Sequence, residues 1–141
     1  MSLMTAIEVG ASGLTAQRKR LEVHISNLVN ANTTQPAGME PYRPKDVLFA
    51  TANPGESFGT VLDDAVQGVE IVKVVIDQGP PRKQYDPNHE HADKDGNVYY
   101  PNIDVLGEMF NVLSATRSYE ANLQAVNMAK EMQQRTLEIL R

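Results

Sequence analysis

Residues 102–141 read NIDVLGEMFNVLSATRSYEANLQAVNMAKEMQQRTLEILR, a proline-free stretch whose apolar side chains recur at alternating steps of three and four. Val105, Met109, Val112, Tyr119, Leu123, Val126, Leu137 and Leu140 fall on that spacing, and Thr116, Lys130 and Gln133 are its polar interruptions. The pattern predicts one long amphipathic helix from Asp104 to Arg141, roughly 57 Å at a rise of ~1.5 Å per residue. Asn102 is the expected cap for its free amides, and Asp104 and Glu108 put negative charge near the positive end of the helix dipole. A second apolar set, Leu106, Phe110, Leu113, Met128, Met132 and Ile139, lies off the first seam. One partner helix cannot cover both. At about 25 cal/mol per Å² of apolar area, the uncovered surface favours burial against further chains.

The other end of the chain repeats the theme. Ile7, Leu14, Leu21 and Leu28 recur every seven residues, and Met4, Ala11 and Ile25 form the companion row, so a helix is expected from Leu3 to Asn30, roughly 42 Å long. Gly10 and Gly13 each weaken it by about 1 kcal/mol relative to alanine, so either the helix is marginal alone or a neighbour packs against its glycine face. Asn30, Asn32 and the Thr33-Thr34 pair are the stop signals. All eight prolines lie between Pro36 and Pro101. Between the helices the sequence predicts short strands at Asp46 to Ala50, Phe58 to Leu62 and the β-branched run Val69 to Ile76, with a turn at Asn53-Pro54-Gly55-Glu56. Gly79-Pro80-Pro81 ends the last strand, and Tyr85 to Pro101 reads as an ordered loop with a turn at Asp95-Gly96. The expected fold class is therefore α+β. Its long terminal helices pair as a coiled coil around a small strand- and loop-rich middle, divided at residues 1–33, 34–101 and 102–141.

Composition removes several function classes. The 141 residues carry 13 basic and 18 acidic side chains, a formal charge of -5, which disfavours a nucleic-acid partner. The acidity belongs to the middle, where residues 33–101 hold eleven acidic and six basic groups. Mean hydropathy is -0.38 and no apolar run approaches the ~20 residues of a membrane span. Residues Met1 to Gly13 lack the basic, apolar and small-residue regions of a cleaved signal peptide. The absence of cysteine excludes disulfides, thiolate metal sites and cysteine nucleophiles.

Candidate chemistry is sparse. His89-Glu90-His91 with Asp86, Asp93 and Asp95 is the one cluster with metal-ligand chemistry. A calcium-loop reading with Gly96 at position six puts His91 and Asn102 where carboxylates are needed, so a solvated acidic loop is the stronger reading. His24 sits in an amphipathic helix with no serine or cysteine motif beside it, and Arg18-Lys19-Arg20 is too short for a nucleic-acid footprint. Asp63-Asp64 fix no acid–base geometry by adjacency alone. No catalytic residue, cofactor or metal site is expected.

Three stretches carry a resemblance. Residues 11–17, ASGLTAQ, followed by Arg20-Leu21 and by Ser26-Asn27-Leu28-Val29-Asn30-Ala31-Asn32-Thr33, closely resemble the N-terminal signature of bacterial flagellar rod and hook proteins. Pro101-Asn102-Ile103-Asp104-Val105-Leu106-Gly107-Glu108-Met109 and Ser114-Ala115-Thr116-Arg117-Ser118-Tyr119-Glu120-Ala121-Asn122 look like the short proximal-rod members of that family. Pro41-Tyr42-Arg43, Tyr85-Asp86-Pro87 and the Ala92-Asp93, Gly96 and Val98 set are similar to the same members. Val29 and Thr116 depart from the family's usual alanine and serine and preserve helix packing. The motif residues are thus Ser26, Asn27, Asn30, Asn32, Asn102, Asp104, Glu108, Arg117, Ser118, Tyr119 and Asn122. The resemblance implies an axial structural protein, exported by the flagellar type III apparatus without signal cleavage. It would assemble with other rod subunits into a torque-carrying tube across the periplasm, with a surrounding ring protein as a further candidate partner. Two other classes fit the residues less well: a metal-binding module using the His89 to Asp95 loop, and a coiled-coil adaptor or secretion chaperone.

Overall fold

A computed structural model describes residues 3–52 and 67–139. Two long helices frame the molecule, α1 at Leu3–Asn30 and α2 at Val105–Ile139, with four strands between them. The bounds of α1 are those its periodicity predicts. It ends where Asn30 turns its Nδ2 back onto the Ser26 carbonyl, 2.8 Å away, and Ala31 and Thr33 close tighter turns onto Leu28 and Asn30. At the start of α2 the cap is Asp104, not Asn102. Its Oδ1 accepts the Leu106 N–H at 3.1 Å and its carbonyl accepts the Glu108 N–H at 2.9 Å. A cap must immediately precede the first helical residue, and Asn102 stands in the extended lead-in behind the buried Pro101.

The helices pack antiparallel. Ascending α1, Gly10 meets Val126, Gly13 meets Asn122 and His24 meets Glu108. The buried residues of α1 are Ala16, Val23, His24 and Asn27, and those of α2 are Ala115, Val126 and Ala129, mainly small or polar side chains. A Cβ on Gly10 would stand 2.5 Å from Val126 Cγ2, and one on Gly13 2.8 Å from Asn122 Nδ2. The two glycines are what let the backbones approach.

Strands β1, Lys45–Thr51, and β2, Val69–Ile76, form an antiparallel pair from Lys45 opposite Ile76 to Thr51 opposite Val69, with an irregularity between Leu48 and Phe49. This hairpin lies along α1, tied at Asn27 and at Ser12. The fifteen residues between those ties rise ~22 Å, close to the ~23 Å of a seven-residue strand, so helix and strand lengths match. Strands β3, Arg82–Tyr85, and β4, Asn97–Tyr100, pair antiparallel where the sequence suggested only a loop. Four residues are too few to display alternation, and burial of Val98, with no exposed surface, selects the strand. The turn at Asp95-Gly96 is present, with Gly96 in the left-handed region at φ 76°. The anticipated Asn53–Glu56 turn and the Phe58 to Leu62 strand lie outside the described residues.

Candidate assembly interface

The residues expected to form seams divide by burial. Val126 is buried; Ile7, Leu14, Leu21, Leu28, Val112 and Tyr119 are half-buried; Ile25, Val105, Met109, Leu123 and Leu137 are exposed. Leu140 lies outside the described residues. On α2 the row Glu108, Ala115, Asn122 and Ala129 turns toward α1 beside Val112, Tyr119 and Val126, so the contact face is rotated from the row of large side chains. The opposite face carries Leu106, Phe110 and Leu113, with Phe110 73 % exposed, and continues through Arg117 to Met128 and Met132. Arg117 makes no ion pair among the described residues. An apolar groove of about 400 Å³ runs between Ala6 of α1 and Ala125, Met128, Ala129 and Met132 of α2. Large apolar side chains displayed along one face of a long helix mark a surface that another chain covers.

Two polar joints hold the helices and hairpin in one arrangement. Asn27, fully buried, works as a substitute strand. Its Nδ2 donates to the Lys45 carbonyl at 2.7 Å, while its Oδ1 accepts the Lys45 N–H at 2.9 Å and the Tyr42 hydroxyl at 2.9 Å. Ser26 adds a 3.2 Å contact to the same hydroxyl. His24 joins three elements. Arg20 Nε donates to its Nε2 at 3.5 Å, which leaves Nδ1 to donate to Glu108 Oε2 at 2.7 Å, and Asp46 of β1 stands 4.0 Å from Nε2. The sequence marked Glu108 as a charge near the helix start and as a motif residue, but a partner 84 positions away left no local trace. At the far end of the hairpin Ser12 Oγ accepts the Val69 N–H at 3.0 Å.

The loop between β3 and β4 is organised by Asp93. Its Oδ1 accepts the N–H groups of Asn97 and Asp95 at 2.8 and 2.9 Å, and the Tyr99 hydroxyl donates to Oδ2 at 3.3 Å. The Asn97 N–H is the main cause that holds this carboxyl below its ordinary value. His89 Nδ1 accepts the His91 N–H at 3.0 Å, and His91 Nδ1 meets the Thr34 hydroxyl at 2.7 Å. Both histidines therefore spend a ring nitrogen inside the protein. Among the described residues no group of three histidine or acidic side chains is placed to hold a metal, and no helix is long and apolar enough to cross a membrane.

Comparison with known proteins bears on this helix-framed molecule. Residues 7–36 match the family described as flagella basal body rod protein, and residues 94–139 match that described as flagellar basal body rod FlgEFG protein C-terminal. The flagellar basal-body rod protein FlgC of Salmonella typhimurium is 41 % identical, with 97 % of each chain covered. The FlgC proteins of Bacillus subtilis and Borreliella burgdorferi are 39 % and 37 % identical, with 99 % of each chain covered. The chain belongs to the FlgC family of flagellar basal-body rod proteins. As an FlgC-family member it is a structural component of the flagellar basal-body rod and not an enzyme. The family matches cover most of both helices and strand β4.

Proposed function

We propose that the paired ends of this chain, residues 1–33 and 102–141, form the inner coiled-coil layer of the rod, and that residues 34–101 lie outside it against neighbouring subunits or a surrounding ring. The observation that carries the reading is the apolar face of α2 turned away from α1, Leu106, Phe110 and Leu113 above all. In a tube this face is covered by the next subunit's helices, and contacts that join different surfaces repeat without closing into a dimer. Torque then passes through many shallow apolar contacts, while the Asn27 and His24 joints keep each subunit's hairpin in register with its helices. Delivery through the flagellar type III export apparatus, without cleavage, places the subunit in the periplasm.

The chain has no cysteine, which makes a clean test available. Single cysteines at Phe110 and Met128 should react readily with a maleimide in the free subunit and become protected in purified basal bodies. Equal labelling in both states would sink the proposal. A mass for the basal-body chain equal to that of the uncleaved translation product tests the export route.

A further inference from the structure

The β1–β2 hairpin has two outer edges, and they are not equivalent. Asp77 N–H donates to the Pro44 carbonyl at 2.8 Å, so by antiparallel alternation Lys45, Val47, Val74 and Ile76 aim their backbone groups away from the partner strand. On β1 three of those four groups are met. Asn27 takes both Lys45 groups, and Asp46 Oδ1 accepts the Val47 N–H at 2.7 Å. On β2 the Ile76 carbonyl has a 3.4 Å contact from Gln78 Nε2, whereas the outward groups of Val74 meet no hydrogen-bonding partner among the described residues. Ser12 closes the edge only at Val69.

Beneath the open stretch lies a groove of about 460 Å³ between α1 and β2, lined by Val23, Val74 and Ile76 and rimmed by Lys19, Glu22 and Lys45. Val72, 60 % exposed, and Ile76, 45 % exposed, set β-branched side chains along this edge, where Lys73 is the one charge from Val72 to Ile76. Lys45 stacks over the Tyr42 ring, and neither it nor Lys73 pairs with a carboxylate among the described residues. Lys19 pairs with Glu22 at 3.1 Å, so Lys45 is the unpaired charge of the rim, and Lys73 adds a second cation on the other face of β2.

We propose that β2, from Val72 to Ile76, is a strand-acceptor site, which takes an extended segment of a neighbouring rod subunit as a third strand. The occupant's chemistry follows from the faces. Its residues opposite Val74 and Ile76 enter the groove and are apolar, and the one opposite Lys73, on the other face, carries a carboxylate, since directly opposed side chains share a face. Main-chain hydrogen bonds to Val74 hold the strand, and the groove selects it. This inference rests on the chain acting in the rod and adds a sheet contact to the helix contacts.

Val74→Pro removes an outward N–H and leaves the β1–β2 ladder intact, because that N–H does not face β1. In a strain whose own copy is deleted, the parent gene should restore swimming, whereas Val74→Pro should keep the parent's circular dichroism and be lost from basal bodies. Val74→Ala, which keeps the N–H, should retain most incorporation. A photo-crosslinking residue at Ile76, analysed in purified basal bodies, covers the case in which the proline variant does not fold. Crosslinks to an extended segment of a neighbouring rod subunit support the proposal. Crosslinks confined to this chain or to a helix, or normal incorporation of folded Val74→Pro, overturn it. Failure of the parent gene itself to restore swimming would instead strike at the rod assignment.

Discussion

Asn27 ties the hairpin to α1, because one amide supplies both a donor and an acceptor to the outer edge of β1. Asn27→Ala leaves the Lys45 N–H and carbonyl without their partner and the Tyr42 hydroxyl with Ser26 alone, and burial at this site leaves little room for water to replace the amide. Stability should fall by about 2 kcal/mol in a denaturant titration, the cost of stranding buried polar groups. A change below about 0.5 kcal/mol would show that the hairpin does not depend on this joint. Asp93 sets the complementary test in pH. The Asn97 N–H is the largest cause lowering its pKa from 3.8; partial burial opposes it, and the Asp95 N–H, the Asn97 side chain and the Tyr99 hydroxyl assist. A depressed folded value means that its stabilisation is complete above 3.8 and is lost as pH falls through the lower folded value. The amide NMR signals of Asp95 and Asn97 should titrate with a midpoint below 3.8; a midpoint at or above that value would contradict the geometry.

At the scale of elements, α1, β1 and β2 were legible in the sequence because length and periodicity suffice for them, and Val69–Ile76 came out residue for residue. The β3–β4 pair was not, since it depends on Val98 finding a buried position that four residues cannot announce. The face by which the helices meet was hidden for a different reason. A heptad search weights large apolar side chains, whereas this seam is built largely from Gly10, Gly13, Ala16, Ala115 and Ala129, and several of the large residues, Val105, Met109 and Leu123 among them, stay exposed. Gly10 tests this directly. In an isolated helix Gly10→Ala gains about 1 kcal/mol, but here the added methyl meets buried Val126, and overpacking of that kind costs about 1–3 kcal/mol. Gly10→Ala should therefore lower the melting temperature. Gly13→Ala should lower it less, because the clashing atom is the movable end of the Asn122 amide. The reverse order would mean that the helices meet on another face.

For the whole molecule, the division between folding and assembly follows from which apolar residues a single chain can bury. Val126 and Ala115 are buried within the chain, whereas Phe110 and Leu113 are 73 % and 47 % exposed, and it is these that we propose a neighbouring subunit covers. Phe110→Asp should change the free subunit's stability by no more than about 0.5 kcal/mol, as exposed substitutions do. The same carboxylate carried into a rod contact would be buried without a partner, at a cost of several kcal/mol for each subunit added. Because every subunit of the family in the tube repeats its contact, the penalty accumulates and incorporation should fail. The expected result is a well-folded Phe110→Asp protein by circular dichroism, absent from basal bodies and unable to restore swimming. Val126→Asp provides the contrast, since it should unfold the helix pair before assembly begins. Normal swimming with Phe110→Asp would remove the exposed face of α2 from the rod's interior contacts and leave the hairpin as the main surface that joins subunits.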